Sequence, residues 1–518
     1  MDYTPASKFR HVYCPGLQPE EIYQGFRVAS TTGDQDYIKG NAKYFAFPAG
    51  GGGGPICIRK HNTPGRMPSQ LPLLTGHKGD LCDFDFNPFN DEQIVSSSAD
   101  LTIMLWEFPE GGPECNISTP LLTLTGHHRK VTFVEFNPVA NLIISSASAD
   151  GTAKIWDLGV QEEIASFNCA ALPQDLHWNY NGSLICVSSK DKMDRIFDAR
   201  QGTVVSEWQP HEGTKCTKMA WLGDTTHVVT TGFNRTSQRE WRLWDLKNLS
   251  KPIAHDSLDM ASGTLLPFFD PDTKMLFLGG KGDGNIRYYE VKESSLYPLS
   301  QYSSTVSARG LCMLPKKACD VNKCEVARIM KLTSKGDVEP LPFIVPRKFE
   351  GYQPDVYPPS YAGIPALSNE EWREGQNSNP ILMSLEPGVT EIYRPDVTGA
   401  TYAPEPAVPM QSVQPAMPAM PAMPVQPVQP MTPIQTTQPV QMAQGVGSSP
   451  SSPSSPSSPS MRGQVVNAKM VNGVAVAAPG YIPKAGKLTI EDIEAELALL
   501  AERMEFLNNA LEELKKEE

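Results

Sequence analysis

An aspartate followed six residues later by an aromatic recurs down this chain, and nothing else in it limits the fold as strongly. It appears as "ADLTIMLWE" (Asp100, Trp106), "ADGTAKIWD" (Asp150, Trp156), "KDKMDRIFD" (Asp191, Phe197), "SQREWRLWD" (Gln238 in place of the Asp, Trp244) and "GDGNIRYYE" (Asp283, Tyr289). Successive aromatics lie 50, 41, 47 and 45 residues apart. That interval suits a unit of four short strands, which cannot bury its own apolar face and must stack against copies of itself.

Two histidines strengthen the pattern. "LTGHKGD" and "LTGHHRK" set His77 and His127 each 23 residues before the aspartate and 29 before the tryptophan. Such offsets identify WD repeats. There the histidine turn, an inner-strand Ser or Thr, the aspartate of a hairpin and the tryptophan of the next strand form one hydrogen-bonded chain, because buried polar groups need partners. His77, Asp100, Trp106, His127, Asp150, Trp156 and Asp283 are therefore structural residues. "KGDGNIRYYE" superficially suggests a calcium loop, but the further carboxylates such a loop requires are missing. The stretch reads as a hairpin turn, with Gly284 supplying φ > 0. His177, in "DLHWNYNG", reads as an ordinary strand histidine.

The fold class that follows is all-β, a WD-repeat β-propeller that closes on itself and so leaves no bare sheet edge. Five units pass the spacing test. "YFAFPAGGGGGPICIRKH" and the strand-rich stretch after Tyr289 supply more, giving seven blades over about residues 1–347, with six as the alternative. "KFRHVYC" near the N-terminus is the expected outer strand that joins the first and last blades.

Composition narrows the function. With 518 residues, 40% hydrophobic, the chain can bury a large core and still carry non-globular segments. A net charge of −13 disfavours general nucleic-acid binding, which needs basic surface. The ten cysteines include no CxxC pair, so buried, reduced thiols are expected rather than a metal site. No apolar leader or run of about 18 apolar residues occurs, and the expected setting is cytoplasmic, without a transmembrane segment. No GxSxG, HExxH or P-loop is present, so neither an enzyme nor a cofactor is implied.

More specific stretches carry a family resemblance. "SKFRHVYC", "WEFPEGG", "TTGFNRTSQRE", "RGLCMLPKKACDVNKCEVAR" and "FIVPRKFEGYQPDVYPPSYAG…ALSNEEW" resemble the coronins, actin-associated WD-repeat proteins with a seven-bladed propeller, a conserved extension, a variable linker and a C-terminal coiled coil. The resemblance covers about residues 7–390 and the last 30. It implies an extension, residues 348–390, packed on the propeller. Phe343, Phe349, Tyr352, Tyr357, Tyr361 and Trp372 are the aromatics that could lie on a preformed surface.

Residues 391–487 are expected to form a disordered Pro/Gln/Ser-rich linker. Between 391 and 480 there are 17 prolines and six charged residues. Ser449, Ser452, Ser455 and Ser458 each precede a proline, which suits proline-directed kinases and equally suits a plain spacer. Residues 488–518 return to a helical pattern, with Ile490, Leu497, Met504 and Leu511 at heptad position a and Ile493, Leu500, Leu507 and Leu514 at d. This is an oligomerisation stripe. "RMEFLN", beginning at Arg503, resembles the coronin trimer motif with Asn508 in place of its glutamate, so a trimer is favoured while dimer and tetramer stay open.

The resemblance implies binding and cross-linking of filamentous actin, with contacts to the branch-nucleating actin-related-protein complex and to cofilin, at the actin cytoskeleton and cell cortex. Filaments are acidic, so local basic surface is required. In the family an arginine in a Tyr-x-x-hydrophobic-Arg-Val context is linked to filament binding, and "YQGFRV" places it at Arg27. Lys8, Arg10, Lys39 and Lys43 are the nearby basic candidates. The alternative is a general WD-repeat adaptor for trafficking or ubiquitin ligation, which would need neither the extension nor the heptads.

Overall fold

The computed structural model describes residues 7–30, 33–292 and 295–394. Six four-stranded sheets and one five-stranded sheet follow one another, and the innermost strands of successive sheets contact each other around a ring. The first blade is Lys39–Gly40, Tyr44–Pro48, Ile56–Lys60 and Leu73–Leu74, and the second Leu81–Phe86, Gln93–Ser98, Ile103–Glu107 and Leu122–Leu124. Blades three to six are four-stranded antiparallel sheets spanning 131–168, 173–208, 218–259 and 265–302. The seventh holds Ala308–Met313, Glu325–Thr333 and Val338–Ile344.

Strand sequences follow from position in the blade. Second strands such as Ile143–Ser148 (IISSAS), Leu184–Ser189 (LICVSS) and Met275–Gly280 (MLFLGG) are buried throughout, because neighbouring blades cover both faces. Each begins with an apolar run and ends in Ser, Ala or Gly, and the small side chains let the blades approach. Outer strands such as Glu162–Asn168 meet water and are mostly exposed. In blades two, three, four and seven the innermost strand carries a register shift at the same point. Such a bulge re-aims the residue that follows; in blades two and four that residue is Asp83 or Asp175.

Ring closure differs from the sequence expectation. Residues 8–14 contribute only a bridge, Tyr13 to Ile344. The closing strand is Tyr23–Gln24, antiparallel to the last strand at Val338, with Gly65–Arg66 added outside it. Phe9 and Val12 explain the shift. They are buried among Tyr288, Phe343 and Val345, and the chain turns there, Val12 N–H donating to the Phe9 carbonyl at 3.0 Å.

The hairpin at Asp283 also departs in detail. The positive φ, +82°, falls at Gly282. Gly284 is needed for space, since a Cβ there would lie 1.8 Å from the Ser304 carbonyl oxygen.

The segment after Ile344 crosses the ring end where first and second strands connect. Tyr361 donates to the Pro138 carbonyl at 3.0 Å, and Tyr357 to that of Glu325 at 2.9 Å. The helix Asn369–Arg373 is closed by a capping box between Ser368 and Glu371. It buries Trp372 completely against Trp178, Ile185 and Phe197. The Trp372 indole donates to Gly182 O at 2.8 Å, and the Arg200 guanidinium lies 4.6 Å from its ring centroid. Asn369 and Arg373 both reach the buried Asp157, at 3.0 and 3.2 Å. Phe349 is the exception among these aromatics, 78% exposed.

Candidate functional site

The turns joining second to third strands, and those joining one blade to the next, share one end of the ring. Two of them are fixed by matching chains. Trp106 Nε1 donates to Ser96 Oγ at 2.8 Å, Ser96 faces His77 Nε2 at 2.8 Å, and His77 Nδ1 lies 3.0 Å from Asp100 Oδ2. In the next blade Trp156, Ser146, His127 and Asp150 repeat this at 2.8, 2.8 and 3.1 Å. A neutral histidine with Nδ1–H toward the carboxylate and Nε2 accepting from the hydroxyl satisfies each chain. Burial agrees, because it holds both imidazoles below their ordinary pKa. Burial also opposes the charge on Asp100, but the Thr102 hydroxyl and the Lys78 backbone N–H outweigh it and bring this carboxyl down to about 2.

A third chain was hidden in the sequence. Trp244, Thr230 and His211 form it at 2.9 and 3.0 Å, and the carboxylate is Glu240, 2.8 Å from His211 Nδ1. Gln238, at the aspartate's usual spacing, instead closes its own turn with Asn234. Asp283 accepts from Arg239 at 2.7 Å and from the Asn285 backbone at 2.8 Å, and is thus a turn residue tied to the neighbouring blade.

The basic candidates do not form one patch. Arg27 is exposed at the histidine-turn end, beside Gly50, whose N–H donates to its carbonyl at 2.8 Å. No described residue bonds to its side chain. Lys8 and Arg10, both exposed, sit at the opposite end, since Tyr13 meets Ile344 whereas Tyr23 meets Val338. Six residues of strand separate those two points, roughly 20 Å. Lys8 there donates to the Asp355 carbonyl. Lys43 is at that same end, ion-paired to Glu92 at 3.0 Å and Asp91 at 3.7 Å. Lys39 faces the channel, 3.2 Å from Asp83 and 4.0 Å from Asp85.

The sequence reading missed the cations that accompany Arg27. Lys78, Arg129, Lys130, Lys190 and Lys335 all lie in turns at its end of the ring, are exposed, and have no carboxylate partner among the described residues. A signal was present: in "GHKGD" and "GHHRK" the cations directly follow the histidine that anchors the turn.

The channel between the two ends is strongly charged. Lys218 meets Asp175 at 2.8 Å, and His177 lies between Asp175 at 3.3 Å and Glu135 at 3.4 Å. Burial alone would depress His177, but these carboxylates raise it well above its ordinary value. Burial pushes Asp85 up to about 7 despite Lys39. His177 is thus a channel residue within an ion network. Among the described residues, no group of three or more His, Cys, Asp or Glu side chains is placed to hold a metal ion, and the cysteines are free thiols.

Known proteins match this architecture. The profile "WD domain, G-beta repeat" matches residues 68–107 and 118–157, "Type of WD40 repeat" matches 338–380, and "Domain of unknown function (DUF1899)" matches 3–66. The WD40 domain of Toxoplasma gondii coronin has a similar solved structure, with a TM-score of 0.70 and 32% identity, over 73% of this chain and 98% of that one. Coronin-A of Dictyostelium discoideum is 44% identical over 387 residues, 74% of this chain and 86% of the relative. The chain belongs to the coronin family. Within this coronin, the DUF1899 match spans the closing strand and Arg27, and the last WD40 match runs from the final strand of the ring through Trp372. No helix among the described residues is long and apolar enough to cross a membrane. The heptad residues Ile490 to Leu514, Arg503 and Asn508, and the linker serines lie outside the described residues.

Proposed function

We propose that this coronin binds filamentous actin through the histidine-turn end of its propeller, with Arg27 as the leading contact. One observation carries the reading: Arg27 is exposed and unpaired among the described residues, on the same end as five further exposed cations without carboxylate partners. A chain of net charge −13 has to meet an acidic polymer through such local surface. Lys8, Arg10 and Lys43 belong to a second, weaker contact set at the other end. Lys39, held by two carboxylates, supports the channel.

The C-terminal heptads would join several propellers, favouring three, and turn weak single contacts into avid filament cross-linking. The acidic C-terminal stretch, with ten acidic and three basic residues over 491–518, would meet the branch-nucleating actin-related-protein complex. Cofilin is a further partner under this reading, and the cell cortex the expected location.

Co-sedimentation of the full chain with actin filaments across a salt series, beside Arg27→Ala, tests the proposal. Pelleting that weakens with salt and drops in the variant supports it. A wild-type chain that stays in the supernatant at low salt refutes it and leaves the general adaptor reading in its place.

A further inference from the structure

Where the channel opens beneath the extension, the ring holds a cavity of about 470 Å³. That is within the ordinary range for a small-ligand site. Its walls are aromatic: Trp178, Tyr180, Trp221 and Phe269 from the propeller, with Tyr361 from the extension, and Pro380 and Leu382 complete the rim. Of these aromatics all but Trp178 are only partly buried, so ring surface faces the space.

Its charges are unbalanced. Asp85, Asp91, Glu135 and Asp272 line the cavity, against the single cation Lys317. Lys317 is already donating to the Ala362 carbonyl at 2.7 Å. Asp91 has Lys43 at 3.7 Å. Asp85 accepts from the Phe136 backbone at 3.0 Å, and its one nearby cation, Lys39 at 4.0 Å, is closer to Asp83 at 3.2 Å. Glu135 accepts from the Trp178 backbone at 3.2 Å and faces His177 at 3.4 Å. Carboxylates this sheltered from water are costly unless a cation approaches them.

We propose that this cavity binds an arginine side chain presented by an extended peptide of a protein partner. A guanidinium fits both features of the wall. Its plane stacks on indole and phenol rings, and its fork of donors can serve Asp85 and Glu135 together, which a lysine ammonium cannot do as well. The extension takes part, since Tyr361, Pro380 and Leu382 shape the opening, and the partner would approach from the end opposite Arg27. The peptide and the leading filament contact at Arg27 can then be occupied together.

The test is a titration of the full-length chain with a short Gly/Ser peptide carrying one central arginine, read by tryptophan fluorescence and by calorimetry. The same peptide with citrulline, a neutral isostere, is run in parallel. The arginine peptide should saturate, and citrulline should weaken binding at least about tenfold. Asp85→Asn and Glu135→Gln should each weaken the arginine peptide by a similar factor while leaving that for citrulline unchanged, with thermal melts confirming folded protein. No saturation at about 1 mM arginine peptide, equal binding of citrulline, or unchanged affinity in both folded variants would each overturn the proposal.

Discussion

The two ends of this propeller are built by opposite means. At the histidine-turn end, short loops are held from within by the Trp–Ser–His–Asp chains, which leaves their outward cations, Lys78, Arg129 and Lys130, free of carboxylates among the described residues. At the other end the surface is covered: the extension lays Trp372, Asn369 and Arg373 onto blades three and four, and its Tyr361, Pro380 and Leu382 roof a cavity whose acidic groups and remaining aromatics come from the propeller. Internal bracing leaves a face available to a large partner, whereas external bracing consumes it and leaves only a pocket.

The strongest way to break this contrast is at the brace of the covered end. Trp372→Ala removes a fully buried indole, its bond to Gly182 and the stack with Arg200, and should cost about 3–5 kcal/mol in denaturant unfolding. A cost below about 1 kcal/mol would mean that the extension merely rests on the propeller.

Bracing at the open end is local and should cost less. Asp150→Ala leaves His127, Thr152 and the His128 N–H without their acceptor, an expected loss of about 1–3 kcal/mol. The equivalent Asp100 predicts an acid dependence. Its carboxyl is at about 2 in the folded chain and about 4 when unfolded. Its stabilisation is therefore complete above about pH 4 and disappears as pH falls through about 2. An acid titration of Asp100→Asn beside the wild type, followed by circular dichroism, should show a shallower loss in the variant over that window.

Asp194 sharpens the comparison from blade four, which has no histidine chain. Burial pushes its carboxyl up to about 8, and Oδ2 has no hydrogen-bond partner among the described residues. The folded chain retains a proton there that the unfolded chain releases above about pH 4. Asp194 consequently lowers stability as pH rises from about 4 to 8. Asp194→Asn should match the wild type near pH 4 and exceed it by about 1 kcal/mol or more at pH 8; the measurement is urea unfolding at both values.

How far the sequence reveals these features depends on how local they are. The chains at His77 and His127 were readable because four residues at fixed offsets carry them. Glu240 was not, since its longer side chain reaches His211 from a different position than the usual aspartate. The closing strand was misplaced because "KFRHVYC" has a strand-like composition, while burial of Phe9 and Val12 turns it instead. Lys39 looked like a surface cation because spacing does not distinguish an innermost strand, whose side chains face the channel, from an outer one. The roughly 20 Å between Lys8 and Arg27 depends on strand 338–344 running between the two ends of the ring, and the N-terminal sequence contains nothing of that.

The most direct test of the central claim pits the two ends against each other in actin co-sedimentation at low salt. Arg27→Glu with Arg129→Glu and Lys130→Glu reverses charge at the histidine-turn end, and Lys8→Glu with Arg10→Glu does so at the other. The account predicts that the first variant loses filament binding by about tenfold or more while the second stays within about threefold of the wild type. The reverse order, or equal losses, would contradict it.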